Sequence, residues 1–252
     1  MIHVEHLAKA FGDFKAVRDV SFSAECGEIV GFLGPNGAGK TTTLRMLTTY
    51  LPSDSGIARV AGFDINYEAN EVRRRIGYLP ETPPLYGEMT VSEYLNFVAT
   101  LKGVPSTERR DAVKAVLAKC FLEDVKDKLC QFLSKGYRQR VGLAQAIVHE
   151  PQVIILDEPT SGLDPRQIIE IRKLIGSLAE RRTVLLSTHI LQEVEMVCTK
   201  VVMVNRGRTI MTGTIDDVKR GRSLEEIFID SLREDEETLV KVADVDEEVS
   251  AA

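Results

Sequence analysis

Apolar positions in the first third of the chain alternate with polar ones or run in short blocks. Met1–Leu7 and Val20–Ala24 alternate, the spacing of strands with one buried face. Glu28–Leu33 (EIVGFL) is mostly apolar and runs straight into a glycine-rich turn, so it also reads as a strand. A helix is expected from Lys40 to about Tyr50, ended by Pro52, which cannot continue it. Gly56–Ala61 and Ile76–Leu79 predict two more short strands. The period then changes. Thr90-Val-Ser-Glu93 has the spacing of a capping box, and Tyr94, Leu95, Val98 and Leu101 recur at helical intervals. Ser106–Cys120 predicts a second helix with Val113, Val116 and Leu117 on one face, and Tyr137–His149 a third. Met89–Glu150 is therefore expected to be a helical insert between strand-rich parts.

Strands return at Val153–Leu156 and Thr183–Ser187, each followed by a helical pattern, a βαβ rhythm that implies a parallel sheet. The broad stripe Ile168, Ile169, Ile171, Leu174, Ile175 and Leu178 fits a packed crossover helix. Val201–Val204 and Thr209–Met211 flank the turn residues Asn205-Arg-Gly207 and predict a hairpin. A short helical stretch (LEEIFIDSL) follows Thr214, and Glu234–Ala252 is acidic and weakly apolar, the composition of a loose tail.

The 252 residues suffice for one large α/β domain, and 44% hydrophobic and 28% charged residues are ordinary for a folded protein. The formal charge of −6 gives no footprint for nucleic acid, so none is expected as a partner. No run approaches the ~18–20 apolar residues of a spanning helix. The N-terminus lacks a charged region followed by an apolar one, so no secretory signal is expected and the protein is placed in the cytoplasm. Cys26, Cys120, Cys130 and Cys198 are scattered without CxxC spacing and read as reduced thiols. His3 and His6 have no further ligand type nearby and do not suggest a metal site.

Gly34-Pro35-Asn36-Gly37-Ala38-Gly39-Lys40-Thr41 matches the phosphate-loop pattern G-x-x-x-x-G-K-[ST], between a strand and a helix. Glycines let successive N–H groups turn toward phosphate oxygens, and the following helix adds its positive dipole end. Lys40 is expected on the β- and γ-phosphates, and the hydroxyl of Thr41 on Mg²⁺, with Thr42 next in the cradle. Val153-Ile-Ile-Leu-Asp157-Glu158-Pro159 is an apolar strand ending in two carboxylates, where an open parallel sheet places its ligands. Asp157 is expected to hold Mg²⁺, and Glu158 to face the attacking water as general base or orienting group.

Together with Leu133-Ser134-Lys135-Gly136-Tyr137, these residues strongly resemble the nucleotide-binding subunit of ABC transporters, over about residues 1–215. The resemblance implies an α/β fold: a P-loop NTPase (RecA-like) core with an N-terminal antiparallel β part and an inserted α-helical subdomain. It divides the chain into an ATPase domain at 1–215, with its helical insert at about 83–150, and a short C-terminal helix and acidic tail at 216–252. It further implies Mg²⁺-dependent ATP hydrolysis by two subunits paired head to tail, each ATP lying on the phosphate loop of one and the signature of the other. The second subunit would be another copy or a homologue. In that scheme Ser134 and Gly136 approach the γ-phosphate across the interface, His189 of Ser187-Thr-His189 senses it, and Asp164 of Ser161-Gly-Leu-Asp164 couples the two sites. Phe11 holds the position of the aromatic that stacks on adenine, preferred over Phe14 in the same loop.

Two departures stand out. Lys135 and Tyr137 replace a glycine and a glutamine of the usual L-S-G-G-Q signature. Glu81, in Gly77-Tyr-Leu-Pro-Glu81, replaces the glutamine that touches Mg²⁺ and water. Both, with the segment from Glu81 to Tyr94, resemble the ABC-2 branch, which serves exporters with separately encoded membrane subunits. A membrane permease is then the second partner, holding the protein on the cytoplasmic face of the membrane, and Leu85, Tyr86 and Met89 are expected to help dock it. Arg73-Arg74-Arg75 reads as a solvated helix face. The alternative is a soluble ABC-class regulator of the ribosome. A single domain, no basic linker and net negative charge count against it. Roughly a hundred residues between phosphate loop and signature, without sustained heptads, count against a chromosome ATPase.

Overall fold

The computed structural model describes residues 1–233; the expected acidic tail lies outside the described residues. The N-terminal alternation forms two long antiparallel strands, β1 (Ile2–Phe11) and β2 (Phe14–Ala24), joined by a tight turn at Gly12 and Asp13. Both run further than the alternation suggests, because Lys9, Ala10 and Lys15 keep pairing beyond the buried part of the hairpin. β3 (Ile29–Leu33) is buried at every position and leads through the phosphate loop into α1 (Lys40–Leu47). Next come β4 (Ser55–Val60), a two-residue β5 (Phe63–Asp64), α2 (Ala69–Arg75) and β6 (Ile76–Leu79). β5 and α2 are too short to show a period in the sequence. The three arginines of α2 are engaged locally: Arg73 with Thr49, Arg74 and Arg75 with Glu71, and Arg75 over the Phe63 ring at 4.1 Å.

The expected helical insert consists of α3 (Val91–Leu101), α4 (Arg109–Lys119) and α5 (Lys135–Ile147). The capping box forms: Thr90 Oγ1 accepts from Glu93 N at 3.2 Å, and Glu93 Oε2 accepts from Thr90 N at 2.8 Å. The βαβ rhythm continues through β7 (Val153–Asp157), α6 (Pro165–Leu178), β8 (Thr183–Thr188) and α7 (Leu191–Val197). The hairpin β9 (Lys200–Asn205) and β10 (Arg208–Thr214), α8 (Ile215–Lys219) and a helical stretch at 224–233 complete the described residues.

The strand order is β5-β4-β1-β2-β10-β9-β3-β8-β7-β6. Strands β9, β3, β8, β7 and β6 run parallel; β5, β4, β1 and β2 are antiparallel, and one register pair, Arg208 with Asp19, joins β10 to β2. Both faces of the parallel part are covered. In β7, Ile154 and Leu156 pack toward the cluster built from α3–α6, while Val153 and Ile155 pack toward the one containing Leu44, Met46 and Leu47 of α1. Leu224 and Ile227 close a third cluster over Leu33, Val201 and Met203. A side chain at Gly77 of β6 would collide with the Ala146 carbonyl of α5. That close approach seats α5 directly on the sheet, so its first turn has a fixed position relative to the strand ends.

Candidate active site

Parallel pairing brings four loops to one edge of the sheet. Leu33 is in register with Thr188, Asp157 with Ser187, and Leu79 with Leu156. The phosphate loop, the two carboxylates, His189 and Glu81 therefore leave the sheet side by side, at the carboxyl ends of the strands. Except for Asp157, which does not line it, they border a cavity of about 320 Å³. Asn36, Gly37, Gly39, Lys40, Thr41 and Thr42 form one wall; Glu81, Glu158 and His189 face them.

Gly39 caps α1 in a left-handed conformation (φ 96°), and a side chain there would meet the Ala16 carbonyl at 2.6 Å. No side chain caps α1 and no acidic residue lies in its first turn. Its N–H groups and positive dipole end are thus free for an anion. Lys40 is buried and its ammonium donates to the carbonyls of Gly34 (2.8 Å) and Pro35 (3.1 Å), 4.0 Å from Glu158 Oε1. Burial lowers its pKa, and the charges of Glu158, Asp157 and Glu81 oppose that shift. Ala38 is buried, and its carbonyl accepts from Gly207 N, so this loop residue anchors the cradle to the β9–β10 hairpin.

Glu158 is held in the left-handed region (φ 48°), a conformation that costs a non-glycine residue energy and persists only under constraint from its surroundings. Its N–H donates to Ser187 O, and His189 Nδ1 donates to its Oε1 at 2.9 Å. Burial raises the Glu158 pKa, opposed by His189 and Lys40. Gln139 of α5, 2% exposed, points its amide at the backbone carbonyls of both Glu81 (3.5 Å) and Glu158 (3.4 Å).

Asp157 is 1% exposed, and neither carboxylate oxygen has a hydrogen-bond partner; the Ser187 hydroxyl beside it has none either. Burial raises the Asp157 pKa, the nearby Ser187 and Thr41 hydroxyls pull it down, and the Glu81 charge raises it further. An unpaired buried carboxylate next to a hydroxyl and a second carboxylate is a donor set that suits a cation. No group of three or more His, Cys, Asp or Glu stands together among the described residues. The set fits Mg²⁺, which takes one or two carboxylates and completes its shell with substrate phosphates and water.

Several predicted residues lie outside this cavity. Phe11 and Phe14 are register partners at the tip of the β1–β2 hairpin, and Phe14 with Ala16, not Phe11, lines it. The preference for Phe11 rested on motif position; the cavity lining holds its cross-strand partner instead. Ser134 caps α5, accepting from Tyr137 N at 3.4 Å, and Gly136 is buried under the Gln167 side chain. Asp164 caps α6, accepting from Arg166 and Gln167 N–H groups at 3.0 Å. Neither Ser134, Gly136 nor Asp164 lines the cavity. Of the two unusual signature residues, Lys135 lies over Gly162 and Tyr137 donates to Asp124 Oδ2 at 2.6 Å. Both side chains leave Ser134 uncovered at the helix start. Ala16 and Gln139 were not foreseen; they reach the site by tertiary approach, and nothing in their local sequence marks them. Ser161 opens the Ser161-Gly-Leu-Asp164 motif, of which only Asp164 was expected to act, and it lines the cavity.

The family model described as ABC transporter matches residues 17–161. The chain belongs to the ABC transporter ATP-binding family. A second model, described as an AAA domain, putative AbiEii toxin, Type IV TA system, matches residues 133–195. The chain is 38% identical to the ABC transporter ATP-binding protein NatA of Bacillus subtilis over 242 residues, 92% of this chain and 98% of NatA. It is 38% identical to the bacitracin transport ATP-binding protein BcrA of Bacillus licheniformis over 222 residues, 87% of this chain and 72% of BcrA. It spans 38% of the probable multidrug ABC transporter ATP-binding protein YbhF of Escherichia coli, to which it is 37% identical over 220 residues. A solved ATP-binding subunit of an ABC transporter superposes with a TM-score of 0.85 at 32% identity, covering 92% of this chain and 99% of that one. The α/β cassette expected from the sequence is thereby established, and the protein is an ATP-binding, ATP-hydrolysing cassette of the ABC transporter type. No helix among the described residues is long and apolar enough to cross a membrane.

Proposed function

We propose that this cassette works as one of a pair, trapping ATP between the phosphate loop of one subunit and Ser134–Gly136 of the other, and drives a separate membrane permease that exports its substrate. The observation that carries the pairing is the incompleteness of the site within one chain. The signature residues stand at the start of a 13-residue helix with no acidic residue in its first turn, away from the chain's own cavity. An uncapped phosphate loop and a separate anion-receptive helix end are the two halves of one site, met when two subunits pair head to tail. Asp164, at the exposed cap of α6, would lie along that junction.

In each half, Gly34–Gly39 and Thr42 cradle the phosphates and Lys40 moves from the loop carbonyls to the β- and γ-phosphates. Asp157, Thr41 and Glu81 would hold Mg²⁺, which neutralises phosphate charge when bound. Glu158 takes or orients the proton of the attacking water, and His189 turns from Glu158 to the γ-phosphate. The purine stacks on the exposed hairpin tip that carries Phe11 and Phe14. Attachment at the cytoplasmic face through the permease and export are supported by the NatA and BcrA likenesses; nothing in the site favours the ribosome-acting alternative. Glu158→Gln tests the scheme: ATP binding is retained, turnover falls by about 10²–10⁴, and the subunit elutes as a dimer with ATP. A monomer at high protein and ATP concentration refutes the paired site.

A further inference from the structure

We infer that Glu193 is a positioning residue for ATP hydrolysis, closing a ring of contacts that fixes the Glu158–His189 pair. The inference rests on the proposed roles of those two residues. Glu193 lies in the first turn of α7 and is 2% exposed, a place where an unsatisfied carboxylate is costly. It is satisfied by two hydroxyls from two different loops. Thr160, two residues beyond Glu158, donates its hydroxyl to Oε1, and Thr188, immediately before His189, donates to Oε2 at 2.9 Å. The Thr188 oxygen in turn accepts from the N–H of Ile190, so the backbone is held on both sides of His189. His189 then donates to Glu158.

The ring is closed: Glu158 through the chain to Thr160, to Glu193, to Thr188, through the chain to His189, and back to Glu158. Both threonines are buried, so no water competes for these bonds. Arg172 of α6 approaches Glu193 Oε1 at 3.9 Å, and its buried Nε has no partner. Its Nη1 donates to Met196 Sδ at 3.0 Å. The guanidinium balances the buried charge and links the helix capped by Asp164 to the ring. Because Glu158 is itself in a left-handed conformation, removing one tie leaves its side chain free to relax away from the water it orients.

The test uses the full 252-residue chain, with turnover measured at protein in excess of ATP so that slow residual rates are read. Glu193→Gln is expected to lower the rate about tenfold or more with ATP affinity within about threefold. In a His189→Ala background the same change costs less than about twofold, because the ring is already open. As a second pair, Thr188→Val, which removes the hydroxyl at constant shape, falls about fivefold or more below Thr188→Ser. An equal proportional loss in both His189 backgrounds, or equal rates for the two Thr188 variants, overturns the ring. Full turnover in His189→Ala alone overturns the underlying role of His189, and the inference with it.

Discussion

Replacing Asp157 by asparagine separates what its buried charge costs from what it does. The side chain keeps its size but loses a buried charge that has no hydrogen-bond partner in the protein. A buried unsatisfied group costs about 1–3 kcal/mol, more when charged, and the neutral amide carries the smaller penalty. Against this gain stands the lost attraction between Asp157 and Lys40, one of the charges that supports the ammonium. The net expectation is a nucleotide-free protein more stable by about 1–2 kcal/mol; at about 2–4 °C per kcal/mol for a chain of this size, Tm rises by about 2–8 °C. The pH dependence has a definite sign. The folded protein binds the Asp157 proton more tightly than the unfolded chain, whose value is near 3.8. Wild-type stability from this group is therefore lost as pH rises from that value through the raised folded pKa, and the loss is complete above it. The advantage of Asp157→Asn should shrink as pH falls toward 4. Differential scanning fluorimetry with and without Mg²⁺ and ATP reads both effects: wild type gains stability on adding the pair, and the variant gains far less. A variant that melts lower than wild type without nucleotide, or gains as much from Mg²⁺ and ATP, refutes the reading of Asp157 as a charge held ready for a cation.

Lys40→Ala removes the side-chain cation of the phosphate loop and should abolish measurable ATP affinity in titration calorimetry; equal affinities would show the cavity is not the site. Phe14→Ala should weaken ATP binding more than Phe11→Ala, by about tenfold if the base stacks on that ring; the reverse order returns the stacking role to Phe11. Tyr86 is exposed beside Tyr94 and Phe97, whereas Leu85 and Met89 are half-buried against the helical cluster. Tyr86→Ala should keep the Tm and ATPase of the isolated subunit and weaken co-purification with its permease; unchanged assembly places the docking surface elsewhere.

Legibility in the sequence followed period and motif. β3, β6, β7 and the capped α3 could be placed because burial on one or both faces, or a capping box, writes itself into consecutive residues. The phosphate loop and Asp157-Glu158 were readable for the same reason: their chemistry depends on neighbours in the chain. Contacts that depend on folding were not. Phe14 rather than Phe11 lines the cavity, a choice between two cross-strand partners that the loop sequence does not record. Gln139 meets Glu81 and Glu158 only because α5 lies on Gly77. Glu193 looks like any polar residue on a short helix until Thr160 and Thr188 are brought to it. Leu85 and Met89, which lack a period, read as surface and are in fact partly enclosed by the helical lobe.

The half of the site that one chain supplies fits the proposed pairing. Lys40 folds back on its own loop carbonyls, Asp157 has no partner, and Glu158 is held in a costly conformation. Each is a local cost in stability that Mg²⁺ and ATP can offset at the phosphate loop. Ser134 is different. Its side chain makes a long 3.4 Å cap of its own helix, and no residue of this cavity reaches it. A site built to be complete in one chain would have brought that helix end to the phosphates, and α5 is instead fixed elsewhere by its close seat on β6. Gln139 on the same helix nevertheless touches the backbone of both Glu81 and Glu158. A partner's phosphate on Ser134 would therefore engage the same firmly seated helix that holds the backbone at Glu158. In the proposed pair, closure and readiness for hydrolysis would be linked through this one buried amide.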